Sequence, residues 1–144
     1  MVTEATSNGG RGILDTNTVI LLPRLTDPAS LPAEAEITTV TLAELSVGPL
    51  VARDETERAS RQAHLQQAEA DFDPLPFDAA AARAFGQVAA DLRRAGHKPT
   101  ARAYDALIAA IAIANGLPLH TVNPDDFAGI TALQLVAIPH PDHD

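Results

Sequence analysis

The sequence predicts an α/β protein in which helices enclose a mostly parallel sheet. Two patterns carry that prediction. Short apolar, β-branched runs alternate with longer stretches of helical character in the order β-α-β-α-α-(β)-α-α-β-α-β, which a parallel sheet with crossover helices accommodates. Carboxylates recur at or just beyond the apolar runs, where a parallel sheet gathers the ends of its strands. Composition agrees: four Phe, one Tyr and no Trp leave a core built from Ala, Leu, Ile and Val.

Taken in order, residues 1–10 are small and polar and read as a flexible lead. Residues 12–15 form a short buried strand, and 16–22 a helix that stops near Pro23. After a loop over 26–32, residues 36–40 supply β-branched side chains for a second strand. Thr41 and Glu44 then match a capping box, starting a helix that breaks near Gly48 and Pro49. Residues 54–70 are charged, alanine-rich and helical, whereas 72–77, with two prolines, make a strand or an extended connector. Asp78 caps a helix over 79–95 that ends at Gly96.

A loop over 97–100 leads into the clearest helix, 101–115, closed by Asn115 and Gly116. Strands over 117–122 and 133–138 flank a short turn that opens at Asn123 and Pro124. One domain over 11–139 is expected, with 140–144 a disordered tail; 144 residues suffice for a core without staples.

Absences narrow the chemistry. Without cysteine there is no disulfide, thiolate metal site or cysteine nucleophile. No phosphate-cradling glycine loop, nucleophile-elbow serine or zinc-binding histidine pair occurs. No basic leader followed by an apolar stretch stands at the start, and the nearly apolar run 106–114 is too short to cross a bilayer, so a cytoplasmic protein without membrane contact is expected. A net charge of −9, from 19 acids and 10 bases, argues against a broad polyanion-binding face. Nucleic-acid affinity, if present, should be modest and depend on metal.

The candidate site rests on Asp15, Glu44, Asp105 and Asp126. Capping suffices locally for three of them: Asp15 precedes a helix, Glu44 completes a capping box, and Asp125 and Asp126 follow Asn123 and Pro124 at a helical turn. With Thr100 as N-cap, Asp105 lies beyond the first turn of an apolar helix, where no helix-forming reason selects it. It needs a metal, a donor or a salt bridge to Arg102 or Arg94. Parallel topology would bring all four acids to one edge, where oxygen ligands suit a hard divalent cation such as Mg²⁺. Arg93, Arg94, Lys98 and Arg102 make the densest basic stretch, either a solvated helix end or a contact for a phosphate backbone.

Together these phrases, from Leu14-Asp15-Thr16-Asn17 through Glu44 and Asp105-Ala106-Leu107-Ile108 to Thr121-Val122-Asn123 and Asp126-Phe127, resemble PIN-domain ribonucleases, and among them the VapC-type toxins of toxin–antitoxin pairs. The resemblance implies a three-layer α/β/α sandwich with a central mostly parallel sheet. It implies a Mg²⁺- or Mn²⁺-dependent endoribonuclease acting on RNA, a VapB-type antitoxin partner and a homodimer. By position, Asp15, Glu44 and Asp105 correspond to the core acids. Asp126, preferred over Asp125 because it directly precedes Phe127, corresponds to the fourth. Asp15, Asp105 and Asp126 would hold metal, and Asn17, Arg94, Arg102, Thr121 and Asn123 would meet the substrate. Apolar helices over 16–22 and 42–51 would supply the antitoxin's groove.

Two rivals come from other classes. Asp15-Thr16-Asn17-Thr18-Val19 resembles the haloacid-dehalogenase-type phosphatase phrase, with Asn17 in place of its second acid and Lys98 as the only lysine. A catalytically silent PIN-like interaction module would use its acids only as caps and surface charge.

Overall fold

The structure, a computed structural model, describes residues 10–98 and 102–142. The start of the expected lead, the proposed Thr100 cap and the end of the tail lie outside these residues. Among them, four strands form one parallel sheet in the order β2-β1-β3-β4: β1 (Arg11–Leu14), β2 (Glu34–Glu36), β3 (Leu119–Thr121) and β4 (Leu135–Ala137). Register pairs Ile13 with Glu36 on one side and with Leu119 on the other, and His120 with Val136.

Alternation along β1 sends Ile13 and Leu14 into different cores. Ile13 and Leu119 pack with α4 (Ala79–Arg94) and α5 (Ala103–Asn115), through Val88, Leu92, Ile108 and Ile111. Leu14 and Val122 pack with Val19 of α1 (Thr16–Leu21), Leu45 of α2 (Thr39–Val47) and Ala68 of α3 (Glu55–Asp71). These are the helix, sheet and helix layers of the expected sandwich. Ala109, Ala110 and Ala112 are fully buried, so the alanines of α5 let that helix lie close to the sheet and to α4. No helix among the described residues is long and apolar enough to cross a membrane.

The structure corrects several local expectations. Helix α2 starts at Thr39, capped by Thr38, whose hydroxyl accepts from the Thr41 N–H at 3.2 Å. Strand β2 is over by Glu36, and the β-branched run beyond it makes only a bridge between Thr38 and Leu75 before turning helical. Thr41 and Glu44 therefore lie inside α2 and form no capping box. Residues 72–77 are a connector whose one strand-like pairing is that bridge, with Phe72 and Leu75 packed against the two cores. Near the end of the described residues, Asp142 pairs with Arg24.

Helix α5 begins at Ala103, with Arg102 at the cap position and no side-chain cap. Asp105 thus sits in the first turn, where the helix dipole favours a carboxylate. The expectation that no local reason selects it is overturned.

Candidate active site

Topology places the acids. In a parallel sheet every strand ends on one edge and the crossover helices begin or return there. Asp15 directly follows β1, Glu44 lies on α2, Asp105 on the first turn of α5, and Asp126 in the 3₁₀ turn Pro124–Phe127 after β3. A cleft of about 440 Å³ at this edge is lined by Asn17, Glu44, Arg102, Tyr104, Asp105 and Asp126. Asp15 lies beneath it, only 4% exposed.

Asp15 caps α1 as expected, its Oδ1 accepting from the Thr18 N–H at 3.3 Å, and it does more. The Thr18 hydroxyl donates to the same oxygen and accepts from the Val122 N–H at 3.1 Å. The Thr121 hydroxyl donates to Oδ2 at 2.8 Å and accepts from the Asn123 N–H at 2.9 Å. Two buried hydroxyls thereby tie the end of β3 to the turn after β1 and fix the carboxylate's orientation. Burial still outweighs those bonds and raises the Asp15 carboxyl above its usual range.

Glu44 accepts from the Thr16 hydroxyl at 2.6 Å, and Thr16 in turn lies 2.9 Å from the hydroxyl of buried Thr41. Its carboxyl is also raised, first by burial and then by the charge of Asp15. Asp105 accepts no hydrogen bond among the described residues. Burial, followed by the charges of Asp126 and Asp15, pushes it up to about 7, against the lowering influence of Arg102. The helix dipole loses to desolvation and repulsion here.

Arg102 pairs with Asp126 at 3.1 Å, so the salt bridge foreseen for Asp105 goes to another acid. Its Nε is buried without a hydrogen-bond partner. Arg94 is not brought to the cleft: it pairs with Asp91 at the end of α4 and lines a separate hollow with Gly86 and Arg93. Asn123 caps its turn without a side-chain bond, and its Oδ1 accepts from Asn17 Nδ2 at 3.3 Å. Asp125 is exposed and absent from the cleft lining, whereas Asp126 is part of it.

The donor set fits a hard divalent cation. It offers only carboxylate, hydroxyl and amide oxygens, and its carboxylates repel one another across a desolvated cleft whose lining includes one cationic side chain, Arg102. Among the described residues no three acids are gathered closely enough to hold an ion as they lie. In this arrangement Asp126 is engaged by Arg102.

Sequence reasoning passed over Thr16, Thr18, Thr41 and Tyr104. The signal was present in the threonine-rich phrases after β1 and β2, but a hydroxyl reads as a cap or a β-former until its partner is known. No lysine lines the cleft, which removes the residue a phosphatase reading requires.

A PIN domain family model matches residues 13–132. Ribonuclease VapC5 of Mycobacterium tuberculosis is 39% identical over 129 residues, covering 88% of this chain and 93% of its own. Ribonuclease VapC of Rickettsia bellii is 30% identical over 130 residues, covering 88% and 96%. Among solved structures, VapBC-5 of Mycobacterium tuberculosis, a member of the VapBC family of toxin–antitoxin systems, superposes with a TM-score of 0.77 at 36% identity, covering 90% of this chain and 99% of the other. A domain match that runs from within β1 to beyond β3 and contains all four acids, with identity at this level along nearly the whole of both chains, shows that the protein belongs to the PIN-domain family and, within it, to the VapC ribonuclease toxins of toxin–antitoxin pairs.

Proposed function

We propose that this chain is an endoribonuclease that hydrolyses RNA phosphodiesters with Mg²⁺ or Mn²⁺ and is restrained by a VapB-type antitoxin. The observation that carries the reading is the convergence of Glu44, Asp105 and Asp126 on one cleft over Asp15. Asp15, Asp105 and Asp126 would hold the cation. When bound, a divalent ion supplies an activated water and charge stabilisation for an in-line displacement at phosphorus. Thr18 and Thr121 hold the Asp15 carboxylate in place beneath the cleft, and Thr16 holds that of Glu44, which completes the cage or orients water. Arg102 and Asn17, on the cleft wall, meet the phosphate backbone, while Asn123 steadies Asn17 and Thr121 steadies the turn. Arg94, outside the cleft, would touch only flanking RNA.

The antitoxin is proposed to insert a cationic side chain, arginine above all, among these acids. Its flanking segment would cover Ile20, Val47, Leu50 and Val51, which α1, α2 and the turn after α2 leave exposed. The chain is read as one folded unit over 11–139 that works in the cytoplasm as a homodimer.

Mapping RNA 5′ ends after brief expression tests the activity. The native chain should create new 5′-phosphate ends, and Asp105→Asn should reduce them at least about 100-fold while keeping a native melting transition. Equal cleavage by the two chains would overturn the assignment. Absence of Mg²⁺ and Mn²⁺ binding by calorimetry would favour a silent PIN-like module.

A further inference from the structure

Tyr104 stands apart from the rest of the cleft wall. It is 55% exposed, it follows Arg102 and Ala103 at the start of α5, and it lies beside Asp105. The other cleft-lining side chains are polar or charged, except for Ala103. No hydrogen bond among the described residues holds its hydroxyl, and the ring contact among those residues, between Phe77 and Phe85, lies elsewhere. An aromatic face left open to water loses hydration free energy that a second flat apolar face would recover. Phosphate and sugar have no such face; a nucleobase does.

From this placement we propose that Tyr104 is a stacking platform for an unpaired base next to the phosphodiester held in the cleft. This rests on the ribonuclease reading and deepens it. A base in an A-form duplex is already stacked on both sides and cannot turn out onto a side chain. A base in a loop or a single strand can turn out and stack, an interaction worth about 1–3 kcal/mol per base. Arg102, two residues earlier, lines the same cleft and offers a cation to the phosphate of the same nucleotide. A protein partner is the less fitting occupant. Protein interfaces bury contiguous apolar surface, whereas Tyr104 shares its cleft with Asn17, Arg102, Asp105 and Asp126 and with none of the exposed apolar side chains Val47, Leu50 and Val51.

The chain has one tyrosine and no tryptophan, so its intrinsic emission reports on Tyr104 alone. The experiment titrates the native protein, with Ca²⁺ replacing Mg²⁺ to slow turnover, with a short single-stranded oligoadenylate, the same strand in a duplex, and an abasic ribose-phosphate strand of equal length. Single-stranded RNA should quench the tyrosine emission; the duplex and the abasic strand should leave it unchanged. Tyr104→Ala should weaken single-strand binding, followed by fluorescence anisotropy of labelled RNA, by roughly 5- to 100-fold, and Tyr104→Phe by less than about twofold.

Equal losses in both variants would assign the effect to the hydroxyl and overturn stacking. Quenching by the abasic strand, or native binding by Tyr104→Ala, would overturn it as well. If Tyr104→Ala loses the antitoxin and keeps RNA, the ring serves a protein partner and the proposal fails. Failure of the native chain to bind or cut any RNA would overturn the ribonuclease reading itself. Native cleavage with unchanged single-strand preference in Tyr104→Ala would remove only the stacking role.

Discussion

Asp105 shows how one carboxylate is pulled two ways. Its first-turn position on α5 favours the charge, while burial and the neighbouring Asp126 and Asp15 oppose it strongly enough to push the group up to about 7. Between about pH 4 and 7 the folded chain therefore holds a proton that the unfolded chain has released. Stability falls as pH rises through that window, and the penalty is complete above it. With a chelator present, Asp105→Asn should be more stable than the native chain by about 1–2 kcal/mol at about pH 8, after allowance for solvent screening. The two should converge at about pH 4. Thermal melts across that range check the sign, and a native advantage at the higher pH would contradict it. Saturating Mg²⁺ should reverse the order, because the cation removes the repulsion that the substitution relieves. The acid itself was legible in the sequence; its first-turn place was not, since that depends on where α5 starts.

At the scale of elements, β1 and β3 are locked by a close approach. Gly12 lies against His120, so that a Cβ at Gly12 would fall 2.6 Å from the ring atoms Cδ2 and Nε2 and 3.0 Å from Pro32 Cβ. His120 is buried on β3, with Nδ1 3.3 Å from the Ser30 carbonyl and Nε2 without a partner, and burial lowers its pKa. Gly12→Ala should cost about 1–3 kcal/mol in urea unfolding by overpacking. Adding His120→Ala should recover part of that loss, so that the double variant loses less than the sum of the two singles. Strict additivity would show that ring and strand do not meet. The identity of these elements is visible from periodicity and capping: Asp78 caps α4 as expected, while Asp54, expected inside α3, caps it. The start of α2 was misplaced because Thr38, Thr39 and Thr41 are equally good β-formers and caps, and only the bridge to Leu75 decides between them.

Across the whole molecule, none of the apolar side chains exposed at and beyond the end of α2 lines the acidic cleft, although Asn17 and Glu44 line both that cleft and a neighbouring hollow with Ile20, Leu45 and Gly48. The patch, Val47, Leu50 and Val51, follows the break of α2 at Gly48, and Leu50 is 85% exposed. If the patch docks the antitoxin and the cleft cuts RNA, the two functions separate by mutation. Leu50→Asp should weaken the antitoxin complex at least about tenfold, as loss of an apolar interface anchor does, and leave Mn²⁺ binding and RNA cleavage unchanged. Isothermal titration with the antitoxin, together with a cleavage assay, tests both halves. Loss of cleavage in parallel with binding would merge the two surfaces.

Residue type and periods of two and 3.6 residues are enough to read off the class of the fold, the aliphatic core and the four candidate acids. Strand order and the precise start of each helix came only with the tertiary structure. So did the hydroxyls that aim Asp15 and Glu44, the assignment of Arg102 to Asp126, the removal of Arg94 from the cleft and the exposure of Tyr104. Each of these depends on which distant segments meet, and a capping threonine looks the same on paper whether its hydroxyl serves its own helix or the carboxylate of a neighbouring strand.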